Sequence, residues 1–283
     1  MQDNTSLKMF KGDSMIVINT AEEVKNLIEE VKSGLVYRGY VNNDQLIPTI
    51  SRYGLEDLEH QMLKEFINLP VIQKKVSLDT LSQVIELAQH YGIPTRFLDW
   101  SYDIKVALYF ALEWHKENDD PSYIGILHIN DIPNVENIKT LLEDIDPISL
   151  EDLDDYTLEE IDSLSIYYDG SSRHIKDGRF VMYDLFFSKL SNCHLNQKIS
   201  LEKNPRIIEQ KGCFTTSREL KNPIEPDRIV ELNLISVEKK KVLRLIEEIR
   251  INNNEPEFFP SLSGVYLELE NRCKKLVGKF RID

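Results

Sequence analysis

The sequence concentrates chemically versatile side chains in one short segment, His90–Trp100. This segment holds an imidazole, a guanidinium, a carboxylate and two large aromatic rings, where a linker between helices would carry small polar residues. Gly92 can end the preceding helix in the left-handed conformation, and Pro94 forbids its continuation. We therefore predict a fixed corner rather than a loose loop. Its ligand-facing candidates are Tyr91, Thr95, Arg96 and Asp99.

Two of these corner residues also have structural interpretations. Asp99 could orient Arg96 or cap the next helix instead of touching a ligand. Phe97 and Trp100 are aromatic residues of a kind found more often in a core than in a stacking platform.

A second unusual position is Arg38, which lies between Tyr37 and Gly39 on a predicted strand, Leu35–Tyr40. A buried strand is a costly place for a guanidinium unless an anion faces it. The planar fork suits a phosphate or a carboxylate, and Gly39 would let a ligand approach the backbone closely. The alternative is a structural ion pair with an internal Asp or Glu.

His90 ends a predicted helix and lies opposite its apolar stripe. It can be a surface imidazole paired with Glu86, one turn earlier. Alternatively, this face lines a cleft, where the helix C-terminus favours the protonated ring and contact with a phosphate.

Further along the chain, Gln210 and Gly212 precede a predicted strand that carries Thr215 and Ser217. A glutamine amide both donates and accepts hydrogen bonds, so it suits a base or a carboxamide. The alternative for Gly212 is a bulge or a turn. Because a buried polar group needs a partner, we predict that one cleft and one anionic ligand gather four separated residues. These residues are Arg38, His90, Arg96 and Gln210, and we expect Thr215 or Ser217 on the wall of the same cleft.

The motifs resemble those of FRG-domain proteins, a family named for a Phe-Arg-Gly triplet. The matching triplet here is Tyr37-Arg38-Gly39, and the most specific motif is HYGIPTRFLDWS at 90–101, followed by ALYFA at 107–111. Weaker matches are RIIEQKGCFT at 206–215 and FPSLSG at 259–264.

The triplet is also similar to the opening motif of ADP-ribosyltransferases, whose strand arginine holds the phosphate or ribose of NAD. Phe214 and the Thr/Ser residues after it resemble the second motif of those enzymes, a strand under the nicotinamide. This resemblance implies an ADP-ribosyltransferase-like fold, and NAD as the substrate.

The third element of that pattern is a glutamate on a late strand, which stabilises an oxocarbenium-like transition state. Glu231 lies on a suitable predicted strand, and Glu209 and Glu257 are the alternatives. We therefore assign catalytic roles to Arg38, His90 and Glu231. We assign contacts with NAD to Tyr37, Gly39, Tyr91, Thr95, Arg96, Asp99, Gln210, Gly212, Phe214, Thr215 and Ser217.

The composition of the chain argues against several other classes of function. The chain has 283 residues, of which 41% are hydrophobic. Its net charge of −14 argues against broad nucleic-acid binding, because nucleic acids are also negatively charged. Three widely spaced cysteines suggest a reducing cytoplasm, and we expect no membrane span, no signal peptide and no metal site. An acidic insertion is predicted at about 131–175.

The periodicities predict an α+β fold, with a helix-rich single domain over residues 1–283 around a small mixed or antiparallel sheet. The same patterns predict the secondary structure of three further segments. Asp103–Lys116 is predicted as a helix that buries Trp114, Pro48–Arg52 as irregular, and Arg179–Ser191 as a core helix.

The first functional hypothesis is an intracellular NAD-dependent ADP-ribosyltransferase of the FRG type, acting on a macromolecule or a small molecule. The second is a non-catalytic nucleotide-binding, interaction or sensor module with the same pocket. The third is a hydrolase that cleaves NAD or a nucleotide.

Overall fold

The structure is a computed structural model. It describes residues 15–31, 35–75, 81–128, 179–182, 210–217, 220–221, 223, 226–255, 257–258, 261 and 264–280. The predicted acidic insertion at about 131–175 and the candidate Glu209 lie outside these ranges.

In the part of the chain that the structure describes, seven strands form one mixed sheet, which confirms the α+β class. The sheet order is β1-β7-β4-β2-β3-β6-β5, and every neighbouring pair is antiparallel except β1 and β7. The strands are β1 (Met15–Ile18), β2 (Leu35–Tyr40), β3 (Leu98–Ser101), β4 (Ser122–His128), β5 (Arg179–Met182), β6 (Gly212–Ser217) and β7 (Arg228–Leu232).

The helices are α1 (Ala21–Glu29), α2 (Thr49–Arg52), α3 (Glu59–Ile67), α4 (Pro70–Lys75), α5 (Leu81–His90), α6 (Ile104–Leu112), α7 (Ser236–Asn252) and α8 (Gly264–Phe280). Helix α1 begins with a capping box, because Thr20 and Glu23 each accept a hydrogen bond from the other's backbone amide. Helix α5 ends before Gly92, whose φ of 85° is the predicted left-handed conformation. Among the described residues, no helix is both long and apolar enough to cross a membrane.

The sheet is nearly divided between β2 and β3. These two strands share one paired position in the described structure, Tyr37 opposite Ser101, whereas β2 pairs with β4 over its whole length. Beyond Tyr37, the edge of β2 therefore separates from β3. The result is two half-sheets with a gap between them, β1-β7-β4-β2 on one side and β3-β6-β5 on the other.

Each half-sheet has its own core. One core packs β2, β4 and β7 against α1, α6 and α7, through residues such as Val106, Ile126 and Val242. The other packs α3, α5 and α8 around Phe97 and Phe214, whose ring centroids are 5.2 Å apart. The gap is thus bordered by two packed walls, which a smaller cluster of Val36, Leu98, Trp100 and Leu127 joins across β2 and β3.

Helix α6 crosses β2 at Gly39 with almost no space between them. A Cβ atom built on Gly39 would lie 1.9 Å from the carbonyl oxygen of Ala107 and 2.8 Å from the amide nitrogen of Ala111. Because both atoms belong to the helix backbone, no side-chain rotation could relieve the overlap. The glycine is therefore required by helix packing, and the expectation that it lets a ligand approach the backbone stays a prediction.

Three local predictions were wrong. Arg179–Met182 forms strand β5 rather than the start of a helix, since it pairs with β6 at the sheet edge. Thr49–Arg52 is a short helix, and Trp114 follows α6 in a 3-10 turn with 72% of its surface exposed. The 3-10 geometry turns the tryptophan away from the buried stripe of α6.

We predict that Gly39→Ala lowers the free energy of unfolding by about 1–3 kcal/mol, the usual cost of overpacking a tight core. Denaturant unfolding measures the change. Gly278→Ala is the matched control, because a Cβ atom at that position of α8 meets no heavy atom within 4 Å. Alanine there should be neutral or stabilising. Equal unfolding midpoints for Gly39→Ala and the wild type would contradict the packing argument.

Candidate functional site

A cleft of about 840 Å³ opens where β2 and β3 separate. Its walls come from both strands, from the C-terminal end of α5, from one face of α6 and from α8. This volume lies in the usual range for small-molecule sites, roughly 300–1,000 Å³. Many of the predicted site residues line it: Tyr37, Arg38, Gly39, His90, Tyr91, Asp99, Gln210, Gly212 and Phe214.

Arg38 spans the gap between the two half-sheets. Its Nε donates to the carbonyl oxygen of Gln45 at 3.0 Å, and its Nη1 donates to the carbonyl oxygen of Asp99 on β3 at 2.7 Å. The Asp99 carboxylate is 3.8 Å from Nη1. A guanidinium has five N–H donors, so three remain without a hydrogen bond in the described part of the chain.

The Arg38 side chain is only 13% exposed. Burial lowers its pKa from 12.5 to about 10; the nearby charge of Arg52 lowers it as well, and Asp99 partly opposes both. The group is still a cation at neutral pH. A buried cation with unused donors that borders an open cleft is a favourable partner for an anion.

Asp99 is held by a chain of side-chain hydrogen bonds. The Thr95 hydroxyl donates to the Gln89 amide oxygen at 2.7 Å, and the Gln89 amide nitrogen donates to the Asp99 carboxylate at 3.0 Å. Thr95 is fully buried and does not line the cleft. The predicted contact of Thr95 with a ligand is therefore corrected, because its hydroxyl acts through Gln89. Asp99 itself is 56% exposed at the cleft.

The end of α5 brings two further predicted residues to the cleft. His90 is the last residue of the helix, and its ring meets the ring of Tyr91 edge-on, with centroids 5.3 Å apart. Tyr37, which also lines the cleft, is buried, and this burial raises the pKa of its hydroxyl, with a smaller contribution from Asp103. The left-handed Gly92 fixes the direction in which the chain leaves the helix.

Arg96 is not part of the cleft. Its Nε and Nη2 both lie 2.9 Å from one carboxylate oxygen of Glu59, and its backbone amide donates to the other oxygen at 2.8 Å. Glu59 has 0% exposure. The prediction that Arg96 binds the ligand is corrected, because its guanidinium already pairs with the Glu59 carboxylate on α3. This ion pair fixes the corner through groups that do not line the cleft.

Glu231 is also placed away from the cleft. It lies on β7, opposite Tyr123 of β4, and β4 separates that strand from β2. The alternative Glu257 does not line the cleft either. The catalytic assignment of Glu231 is therefore corrected, because two strand spacings separate it from Arg38. Within the described residues, the carboxylates that line the cleft are those of Asp99 and Glu270.

The segment before β6 is fixed against the corner. The Gln210 carbonyl accepts from the Ser101 hydroxyl at 2.8 Å, and the Gln210 amide nitrogen donates to the Phe258 carbonyl at 3.3 Å. Lys211, with a φ of 41°, lies in a turn directly before Gly212. Thr215 and Ser217 lie on β6, where they pair with Leu98 and Arg179. Their place on the cleft wall stays a prediction.

Sequence reasoning missed several residues of the cleft. They are Gln45, Arg52, Tyr53, Gln89, Trp114, Glu270 and Lys274. Gln89 was detectable, because it lies directly before His90 on the same helix end. Arg52 and the two residues of α8 carry no local signal, since only the tertiary fold brings them to the gap.

The cleft therefore combines three kinds of chemistry. Three cationic side chains of the described residues line it, those of Arg38, Arg52 and Lys274. The Nζ atom of Lys274 lies 3.5 Å from Oε1 of Glu270. The cleft also has a carboxylate held in place, and it has the exposed indole of Trp114. Cations, a positioned carboxylate and an exposed aromatic ring suit a ligand that carries phosphate, sugar and base.

The ion pair behind the corner yields a stability prediction. Arg96→Met should lower the free energy of unfolding by about 3–5 kcal/mol, because it leaves a buried carboxylate without its partner. The double substitution Glu59→Met with Arg96→Met should lower the free energy of unfolding much less, since no uncompensated charge remains. Thermal or denaturant unfolding of the three proteins measures this. An Arg96→Met protein as stable as the wild type would contradict the structural role.

Comparisons with known proteins identify one family. The family model of the FRG domain matches residues 33–120, which include β2, the corner and α6. No curated protein and no solved structure matches the chain. The match contains Arg38, His90 and Asp99, and it confirms the resemblance seen in the Tyr37–Gly39 triplet and the corner motif. The chain therefore carries an FRG domain at residues 33–120.

Proposed function

We propose that the chain is an NAD-dependent ADP-ribosyltransferase of the FRG type that binds NAD across the gap between the two half-sheets. The observation that carries this proposal is the position of Arg38. Its guanidinium is buried at the gap, it borders an open cleft, and several of its donors have no hydrogen bond in the described structure. A phosphate of NAD would supply the missing anion.

The rest of the cleft suits the other parts of NAD. The exposed ring of Trp114 offers a face on which adenine or nicotinamide can stack. The Gln89–Asp99 hydrogen bond holds a carboxylate on the β3 side, opposite the arginine on the β2 side. A ligand in the gap would therefore contact a cation through its phosphates and a carboxylate through its ribose.

The transfer reaction breaks the bond between the ribose C1′ atom and the nicotinamide nitrogen, and nicotinamide leaves with the electron pair. The ribose carbon then gains oxocarbenium character, which a nearby carboxylate stabilises. Asp99 takes this role in our proposal, because it is the positioned carboxylate of the cleft. The nucleophile of the acceptor bonds to C1′ and loses a proton, and we assign the role of base to the imidazole of His90, which lines the cleft.

A second function, a nucleotide-binding sensor without turnover, is favoured by one observation. The glutamate expected from the transferase pattern, Glu231, lies on β7 and away from the cleft. In this function NAD or a related nucleotide binds at Arg38, but the glycosidic bond stays intact.

Nicotinamide release separates the two functions. We expect the wild type to release nicotinamide from NAD, with water as the nucleophile that bonds to C1′, as measured by chromatography. Asp99→Asn should reduce the rate by about a hundredfold or more. The affinity for NAD, measured by calorimetry, should change far less in this variant.

Glu231→Gln is the matched control and should retain wild-type release. Bound NAD without nicotinamide release would reject the transferase in favour of the sensor. Loss of release in a folded Glu231→Gln protein would contradict the assignment of Asp99. An absence of NAD binding would reject the transferase and a sensor of NAD.

A further inference from the structure

We propose that Arg52 and Arg38 form a two-arginine clamp for a diphosphate, so that the cleft prefers ligands with two linked phosphates over those with one. This inference deepens the proposed function, on which it rests for the identity of the ligand. Arg52 lines the same cleft as Arg38, yet neither motif nor resemblance pointed to it.

The backbone that carries Arg52 is fixed. Helix α2 contains only four residues, but Ile50 is fully buried, and its amide donates to the carbonyl of Thr95 at 3.3 Å. The amide of Arg52 donates to the carbonyl of Pro48 at 3.1 Å. The corner and α2 are thereby joined, so the base of the Arg52 side chain keeps its position relative to Asp99.

The end of the Arg52 side chain, by contrast, is available. The residue is exposed, and its one hydrogen bond in the described structure runs from Nη2 to the Thr49 hydroxyl, at 2.7 Å. The described residues give it no ion pair. Four of its five N–H donors are therefore open to a ligand.

The charges of the cleft favour an anion between these two arginines. Glu270 lies beside Lys274, and Asp99 lies beside Arg38, so among the described residues no other carboxylate lines the cleft to compensate Arg52. Two guanidinium groups that face one cleft repel each other until an anion enters. Each planar fork matches one phosphate bidentately, so the two forks together match a diphosphate.

The test compares ADP with AMP by isothermal titration calorimetry. We expect the wild type to bind ADP at least about tenfold more tightly than AMP, because a charge-assisted hydrogen bond contributes about 1.5–3 kcal/mol. Arg52→Ala should remove most of this preference. Arg52→Lys, which keeps the charge but loses the fork, should give an intermediate ratio.

Arg244→Ala is the matched control, since it removes the same charge from an exposed position on α7 outside the cleft. It should keep the full preference for ADP. Thermal unfolding should show the same midpoint for Arg52→Ala and the wild type, because the side chain is exposed.

The outcomes separate the clamp from the transferase. If Arg52→Ala keeps the wild-type ratio of ADP to AMP affinity, or if the wild type shows no preference, the clamp is overturned, even where nicotinamide is released. If the preference is present and disappears in Arg52→Ala, the clamp stands, even where no nicotinamide is released and the transferase is rejected.

Discussion

The site depends on one side chain that replaces part of a β-ladder. After Tyr37, β2 no longer pairs with β3, and the Asp99 carbonyl on β3 would lack a partner across the gap. Arg38 supplies one through its Nη1, while its Nε binds the Gln45 carbonyl. The Arg38 side chain is only 13% exposed, and a buried donor without a hydrogen bond is costly, so this bridge stabilises the opening between the two strands. The same guanidinium then faces the cleft that it holds open.

The polar residues of the FRG motifs divide into two groups around this bridge. One group faces the cleft and includes Arg38, His90 and Asp99. The other group is buried and holds the first group in place. Thr95 orients Gln89, and Arg96 is paired with Glu59. Such a division gives a site whose ligand-facing groups keep their geometry before a ligand arrives, which reduces the cost of ordering them on binding.

Much of the local structure could be predicted from the sequence, because its signals are local. The capping box at Thr20, the left-handed Gly92 and the strand that carries Arg38 each depend on residues a few positions apart. The gathering of Arg38, His90 and Gln210 could be predicted because each polar side chain needs a partner. The motif at 90–101 made the resemblance to the FRG family specific, which the short triplet alone could not do.

The errors share one physical origin, which is that partners distant in sequence decide the role of a polar side chain. Arg96 was assigned to the ligand because its counter-ion is supplied by α3, and no pattern links the two positions. Glu231 was assigned to the site because strand order cannot be read from strand spacing, and β4 intervenes. For Gly39, the sequence suggested only the approach of a ligand, whereas contact with the backbone of α6 also requires a glycine there.

The most direct test of the central claim is a crystal structure of the protein grown with saturating NAD. The account predicts that NAD lies in the gap between β2 and β3, with a diphosphate oxygen about 3 Å from Nη2 of Arg38. It also predicts that the Arg38 bridge to the Asp99 carbonyl persists. NAD bound on another surface, or a cleft that closes around Arg38 without ligand at saturating NAD, would contradict it.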